Sequence, residues 1–459
     1  MAEIKETLER ELKLRAGPEF ELPELGGEAI EPRVFDSTYY DTRDHRLARH
    51  GVTLRYRIEN RKGLWQLKLP QGDARLELEA KGTPAAPPDE LLSLLPAYLR
   101  GEPPLPLARL RTKRTGVRAQ GAEIVYDEVT VVDQRRIPRS FEELEVELIE
   151  GDEKALRRIE KALRRAGAAD GESRPKVFQA LDLVFEAEPI ESVDDGSAGA
   201  ALAAELRRQY EQLLAHDPGV RLGTDSEELH DFRVATRRLR AFLRAGRELL
   251  DEEWSLPLRE ELRWLGGELG PSRDLDVLVE HLRSEVADLA EDTEAGRTLT
   301  DVLERDREAV RQQAIDVLND ERYFALLDRL EQPPPLVEAG VTLKQIQRAE
   351  HRRLRRALRD LAADSPDEQL HEARIKVKRA RYAAELRGDA SYVKAAKALQ
   401  DVLGEHQDAV VAQERLRLLA AREPAVAVAA GRLIERESIR AASRRRDWPA
   451  AWKRLAATA

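Results

Sequence analysis

The period of the hydrophobic pattern changes once along this chain, near residue 190. Before that point short stretches alternate polar and apolar side chains: LERELKL, VTLRYRI, WQLKLP, ARLELEAK, EIVYDEV and EELEVELIE. Alternation of this kind is the signature of strands. After it Ala, Leu, Arg and Glu recur at helical spacing over long runs, with almost no strand signal. The pattern predicts an α+β multidomain protein, with a strand-rich N-terminal domain over 1–187 and an all-α C-terminal domain over 200–459. The small, acidic stretch EPIESVDDGSAGA between them reads as a linker, 188–199.

The helical region repeats itself. HDFRVATRRLR begins at His230 and HEARIKVKRAR at His371, an offset of 141; LGPSRDLDV and LGEHQDAVV set Gly270 against Gly404 and Asp274 against Asp408, an offset of 134. The Pro-rich EQPPPLVEAG separates the copies, so the expectation is a duplicated helical bundle with halves at about 200–332 and 341–459.

Composition narrows the chemistry. The chain has 459 residues, 36% of them charged, with 77 Lys+Arg against 87 Asp+Glu and a formal net charge of −10. That balance argues against a general nucleic-acid binder, though nucleic acid stays a competing polyanion for any local basic groove. No Cys is present, which rules out disulfides, thiolate metal sites and cysteine nucleophiles. No apolar run approaches membrane-spanning length and the N-terminus lacks a signal-peptide core, so the expectation is a cytoplasmic protein with no membrane partner. No feature sets an oligomeric state.

The strands carry charged stripes. Alternation places Glu9, Glu11 and Lys13 on one face, Arg55 and Arg57 on another, Arg75, Glu77 and Glu79 on a third, and Glu143, Glu145 and Glu147 on a fourth. Lys68 and Asp127 lie in further strands. In LRTKRT, Arg111 and Lys113 share a face, and Arg114 breaks the alternation, leaving open which of the three face inward. Any single stripe is an ordinary solvated sheet face. Several in one region, with acids on some strands and bases on others, would line a closed sheet with both signs. Arg forks match phosphate oxygens, and clustered carboxylates hold hard divalent cations.

Glu9-x-Glu11-x-Lys13 near the N-terminus, followed in order by TYYDT, LRYR, LK, RLELE, the basic strand at 111–114, YDE and ELEVEL, resembles the CYTH domain of the triphosphate tunnel metalloenzymes over roughly 1–185. The resemblance implies an eight-stranded antiparallel β-tunnel with helices that binds a linear triphosphate with Mg2+ or Mn2+. It implies metal ligation by Glu9, Glu11, Asp127, Glu145 and Glu147. It implies phosphate contacts from Lys13, Arg55, Arg57, Lys68, Arg75, Arg111 and Lys113, with Lys176 closing the tunnel end, and a catalytic role for Glu9, Glu11, Lys13, Arg55 and Arg57.

In the helical region His230, Arg233, Arg237, Arg240 and Arg244 follow i, i+3, i+7, i+10, i+14 spacing, which is one helix face. The second copy gives His371, Arg374, Lys378 and Arg381. The helix at 342–359 adds Lys344, Arg348 and Arg352, and Lys394 and Lys397 precede the second LG motif. These motifs resemble the CHAD domain over roughly 198–455, which implies two pseudo-symmetric bundles around a basic groove that binds inorganic polyphosphate. Together the two resemblances imply a divalent-metal-dependent inorganic triphosphatase, a hydrolase of tripolyphosphate, with a polyphosphate-binding helical domain and a link to polyphosphate granules. The alternatives are an adenylate cyclase or a nucleoside or thiamine triphosphatase, and a non-catalytic polyphosphate sensor or granule-targeting protein.

Overall fold

A computed structural model describes residues 4–17, 20–72, 74–132, 139–172, 174–182, 197–359, 361–362 and 365–458. The chain divides into two units, Met1–Pro189 and Ile190–Ala459. Of the stretch expected to be a linker, 188–196 lies outside the described residues.

The first unit is a closed antiparallel barrel of eight strands: β1 (Lys5–Arg15), β2 (Glu28–Asp41), β3 (Thr53–Glu59), β4 (Lys62–Gln71), β5 (Ala74–Ala80), β6 (Leu105–Ala119), β7 (Ala122–Val131) and β8 (Ser140–Leu148). They are hydrogen-bonded in the order β5-β4-β3-β2-β6-β7-β8-β1, and β1 closes the ring on β5. Closure depends on one strand serving two neighbours. Lys5 to Glu9 of β1 pair with β5, and Arg10 to Leu14 pair with β8. A two-residue strand, β9 (Ala169–Asp170), extends the β1 edge.

Short helices α1 (Arg46–Arg49), α2 (Asp89–Leu92) and α3 (Pro96–Leu99) interrupt the meander. The segment DELLSLLPAYL forms two single turns, because Pro96 starts a new helix. Helix α4 (Glu153–Arg165) is capped by Asp152, which accepts from the Ala155 amide. Its buried Ile159 and Leu163 pack on Leu14, Ile124, Leu144 and Val146. These apolar residues occupy even positions of β1, β7 and β8, so the odd positions must face the lumen. Helix α5 (Lys176–Leu181) covers part of the barrel, with Val177 and Phe178 against Tyr39, Leu110 and Val129.

The second unit is helical: α6 (Ala198–Leu222), α7 (Ser226–Ala245), α8 (Glu252–Glu268), α9 (Gly270–Val286), α10 (Thr293–Leu318), α11 (Glu321–Glu331), α12 (Leu343–Arg359), α13 (Asp367–Arg387), α14 (Ala390–Arg422) and α15 (Ala427–Ala456). The copies differ in one respect. The first breaks between α8 and α9 just before Gly270, whereas Gly404 lies inside the single 33-residue helix α14. The two ends of α14 enter different cores. Tyr392, Leu399 and Leu403 pack with α12, α13 and the end of α15, whereas Leu416 and Leu419 pack with α9, α10 and the start of α15. The duplicated halves therefore share a core. Among the described residues, no helix is long and apolar enough to cross a membrane.

Candidate functional site

The barrel encloses a polar cavity of about 260 Å3. Its charges are sorted by strand. Glu9, Glu11, Glu77, Glu123, Glu145 and Glu147 come from β1, β5, β7 and β8, which are consecutive around the ring. Arg33, Arg55, Arg57, Lys68 and Arg114 come from the complementary arc β4-β3-β2-β6, and Lys176 of α5 joins them. Lys13 and Arg75 are cations set within the acidic arc.

Register explains each contact. Glu11 stands opposite Glu147, which in turn stands opposite Glu123. Lys13 stands opposite Glu145 and Lys68 opposite Glu77. Lys68 bonds Glu9 and reaches Glu77 at 3.2 Å, and Arg75 lies 3.5 Å from Glu11. Burial and a hydrogen bond with Glu77 push the Glu9 carboxyl up to about 8. Burial acts on Glu77 as well, but the same hydrogen bond, with Lys68 and Arg55, holds it down to about 2. With both carboxyls ionised, the buried Glu77 Oε1 has no donor; a proton on Glu9 supplies one. Burial also raises the Glu147 carboxyl, the largest influence on it.

Lys176 is buried and touches Asp127 (2.5 Å), Glu145 (3.0 Å) and Glu143 (3.2 Å). Against the effect of burial, these acids hold its ammonium above the ordinary lysine range. Arg114 grips both Asp127 oxygens, at 2.8 and 2.7 Å, and reaches Glu145 at 2.8 Å. Two aromatic rings line the cavity, and each already meets a guanidinium. Arg57 lies 3.8 Å from the Phe35 centroid and Arg55 lies 5.9 Å from that of Tyr39.

The structure brings most of the sequence-derived set together and moves three members out. Arg111 bonds Asp36, Lys113 bonds Glu128, and both are more than half exposed on the outer wall. The inward residue of that strand is Arg114, because its cross-strand partner is the inward Asp127. Asp127 itself does not line the cavity; its oxygens are taken by Arg114 and Lys176, so it anchors cations. The site residues implied by the resemblance do not include Arg33, Phe35, Glu77, Glu123 or Glu143. Glu77 and Glu143 do lie on the charged stripes read from the sequence, but Arg33 and Phe35 become visible only once β2 is paired with β6.

The acids of this arc offer oxygen donors only, which suits a hard divalent cation. Among the described residues no three acids already converge on one point, because Lys68, Arg75, Lys13 and Lys176 hold several of them apart. Two pairs of carboxylates stand together with a single cation each: Glu9 with Glu77, which share Lys68, and Glu11 with Glu147, set face to face beside Arg75. The donor set fits a cation at these pairs.

In the helical unit the repeat is legible at the level of contacts. Arg233 bonds the Gly270 carbonyl (2.9 Å) and Asp274 (3.4 Å). Arg374 lies against Gly404, where a Cβ would come within 3.4 Å of its guanidinium, and 3.9 Å from Asp408. Helices α7 and α13 pack together through Phe242 and Tyr382 and through Arg238 and Glu385. Their basic faces merge. After burial and Tyr382, the charges acting on Arg237 are those of Arg233, Arg374 and Arg381. Burial, then Arg374 and Arg237, push the Lys378 ammonium down to about 7. The buried Nε–H groups of Arg237, Arg273, Arg374 and Arg381 have no acceptor. Such a concentration of guanidinium groups with unsatisfied Nε donors has the chemistry that suits an anion.

The remaining predicted residues distribute unevenly. His230 is half-buried and its imidazole is pushed down by burial and Arg273, whereas its counterpart His371 is exposed. Arg244 is half-buried near Glu350, Arg259 and Arg353, and Arg240 is exposed. Lys394 is exposed and Lys397 pairs with Asp401 on the surface of α14; neither is assigned to the groove. Lys344, Arg348 and Arg352 line a separate pocket with Arg387 and Tyr392. The α12 cation beside Arg244 is Arg353 instead.

Comparison with known families agrees with this architecture. The CYTH domain matches residues 7–176 and the CHAD domain matches residues 204–417. The chain is 32% identical over 428 residues to an uncharacterized protein of Mycobacterium tuberculosis, covering 83% of this chain and 81% of the relative. The chain belongs to the family of proteins that join a CYTH domain to a CHAD domain. Among solved structures, PptA from Streptomyces chartreusis is 24% identical, covering 56% of this chain and 99% of that one, with a TM-score of 0.48. The CHAD domain from the plant Ricinus communis is 29% identical, covering 57% and 92%, with a TM-score of 0.49.

Proposed function

We propose that the barrel is a divalent-metal-dependent inorganic triphosphatase and that the α7/α13 groove binds inorganic polyphosphate. CYTH domains include triphosphatases and cyclases and generally depend on a divalent metal, so the coarse class comes from the family. The observation that carries the finer reading is the sorting of charge around the ring. An arc of bases facing an arc of acids suits a polyphosphate complexed with metal, where neither arc alone would.

In this reading Arg55, Arg57, Arg114 and Lys68 bind the phosphate oxygens, while Glu9, Glu11, Glu77 and Glu147 hold the metal on the opposite wall. Mg2+ or Mn2+ held there would supply charge neutralisation and lower the pKa of the water that attacks the terminal phosphoanhydride. The protein's own part is positioning and electrostatics. Phe35 stacks on Arg57 and keeps its fork turned to the lumen. Lys176 and Arg114, tied to Asp127, fix one end of the phosphate chain. Lys13, held between Glu143 and Glu145, sets the boundary between the two arcs.

Inorganic triphosphate is favoured over nucleoside triphosphates because both aromatic rings of the cavity are engaged by guanidinium groups. A nucleobase entering there would have to displace one of them. Phosphate release from tripolyphosphate, ATP and long polyphosphate, with Mg2+ or Mn2+ and the full chain, tests the reading. Release from tripolyphosphate that is lost in Glu11→Gln supports it; cyclic AMP from ATP as the main product would overturn it. Salt-dependent binding of long polyphosphate, weakened by Arg237→Gln and Arg374→Gln, tests the groove, with DNA as the competing polyanion.

A further inference from the structure

Helix α12 carries cations on two opposite flanks. At 3.6 residues per turn, Arg353 stands about 180° around the helix from Lys344, while Lys344, Arg348 and Arg352 fall within about 80° of one another. Arg353 faces Arg244 and Arg379 on the groove side. The other three border a cavity of about 330 Å3 between α12 and the turn from α13 to α14. They cannot extend the groove around the same helix.

The cavity is built rather than incidental. The one carboxylate among its described lining residues, Asp389, is consumed by structure: it accepts from the Tyr392 amide at the start of α14, from Ser391, and from the buried Gln347 amide at 3.0 Å. Gln347 Oε1 in turn receives Arg387 at 2.7 Å. His351 meets the Tyr392 hydroxyl at 2.8 Å and stacks on Trp452, which fixes the wall. Lys344, Arg348 and Arg352 make no ion pair among the described residues. Among the described residues that line it, Asp389 pairs with Arg387 at 3.4 Å, which leaves the three α12 cations, a formal +3.

The first half of the domain lacks this chemistry. The connection that precedes α13 is four residues longer than the one that precedes α7, so α12 matches α6 at an offset of 137, which places Arg207, Glu211 and Ala215 where the second half has Lys344, Arg348 and Arg352. Arg207 there is already paired with Glu211 at 2.9 Å. Duplication by itself therefore does not account for the three unpaired cations.

We infer that this pocket is a second anion site, separate from the groove, that takes a short inorganic condensed phosphate of two or three units. Two Arg forks and a Lys suit adjacent phosphate groups, and a cavity of this size lies at the small end of ligand pockets, about 300–1,000 Å3. The site goes beyond the groove reading and stands or falls separately from it. Calorimetric titration of the full chain with pyrophosphate, and separately with long polyphosphate, tests it. In Arg348→Gln/Arg352→Gln one pyrophosphate site weakens at least tenfold while long-chain affinity stays within twofold. In Arg237→Gln/Lys378→Gln the pattern reverses. Lys344→Gln weakens the pyrophosphate site on its own. An unchanged pyrophosphate titration in Arg348→Gln/Arg352→Gln would overturn the site. So would a long-chain loss as large as that of the groove variant, since the α12 cations would then belong to the groove. Tripolyphosphate turnover in the barrel is a separate readout, so its loss or retention bears on the barrel alone.

Discussion

Glu11 and Glu147 stand directly opposite one another on β1 and β8, and both face the barrel cavity. Like charges at cross-strand positions oppose pairing, and burial adds to the cost for Glu147. Arg75, 3.5 Å from Glu11, offsets part of this cost, and in the proposed reading a bound cation would turn the remaining repulsion into a chelate.

Glu147→Gln is therefore expected to stabilise the metal-free protein by about 0.5–1 kcal/mol, the scale of a cross-strand pair. The same change should remove most of the rise in melting temperature caused by Mg2+ or Mn2+. Because the Glu147 carboxyl is raised on folding, its ionisation costs stability as pH climbs through the raised value, and that cost is absent in acid. The advantage of the Gln variant should accordingly grow with pH. Melting curves at two pH values, with and without metal, measure it, and equal metal-induced shifts in both proteins would contradict the assignment.

Arg114 and its neighbours make a sharper contrast. Arg114→Gln is expected to lower phosphate release from tripolyphosphate at least a hundredfold, whereas Arg111→Gln and Lys113→Gln should stay within twofold of the parent. The first faces the lumen and the other two are paired outside. Steady-state kinetics on the three variants decides between this arrangement and the one that alternation alone suggests.

Phe35 offers a test of positioning. Loss of a desolvated stack between an aromatic ring and a guanidinium costs about 1–2 kcal/mol. Phe35→Leu should therefore raise KM for tripolyphosphate about five- to thirtyfold with a smaller effect on kcat. Phe35→Trp, which keeps a face for Arg57, should recover most of the loss. A fall in kcat with KM unchanged would remove Phe35 from phosphate binding.

Lys378 predicts a proton signature in the helical unit. Its ammonium is pushed down to about 7 by burial, Arg374 and Arg237, so near pH 8 it is largely neutral in the free protein. A bound polyanion restores the charge, and binding should take up close to one proton there and almost none near pH 6. Calorimetry in buffers of different ionisation enthalpy reads this uptake. Lys378→Arg, charged throughout, should abolish it while keeping affinity.

Much of this was legible before any coordinates. Alternation in LERELKL and EELEVEL put Glu9, Glu11, Lys13, Glu145 and Glu147 on inward faces, and the barrel bears that out because the even positions are claimed by α4. Alternation failed at LRTKRT, where Arg111 and Lys113 fall on one face and Arg114 on the other, and only the pairing of Arg114 with Asp127 says which face is inside. Pairing register is a property of two strands and cannot be read from one. The helical stripes show a second limit. Spacing found Lys344, Arg348 and Arg352 on one face of α12, but nothing in the spacing said which flank met α7. The fusion of α8 and α9 into one counterpart helix was likewise hidden, since both copies carry Gly at the same place and the first alone breaks there.

The unbroken α14 has a consequence for how this domain is inherited. A helix of 33 residues is about 50 Å long, and here it is anchored at its two ends in separate cores. Neither core can come apart without snapping the rod in the middle, so the two should melt in a single cooperative step. Duplication ordinarily yields modules that can be shuffled or deleted one at a time. Here α14 ties the second copy to the core it shares with α9 and α10, so deletion of either copy alone should leave that core incomplete.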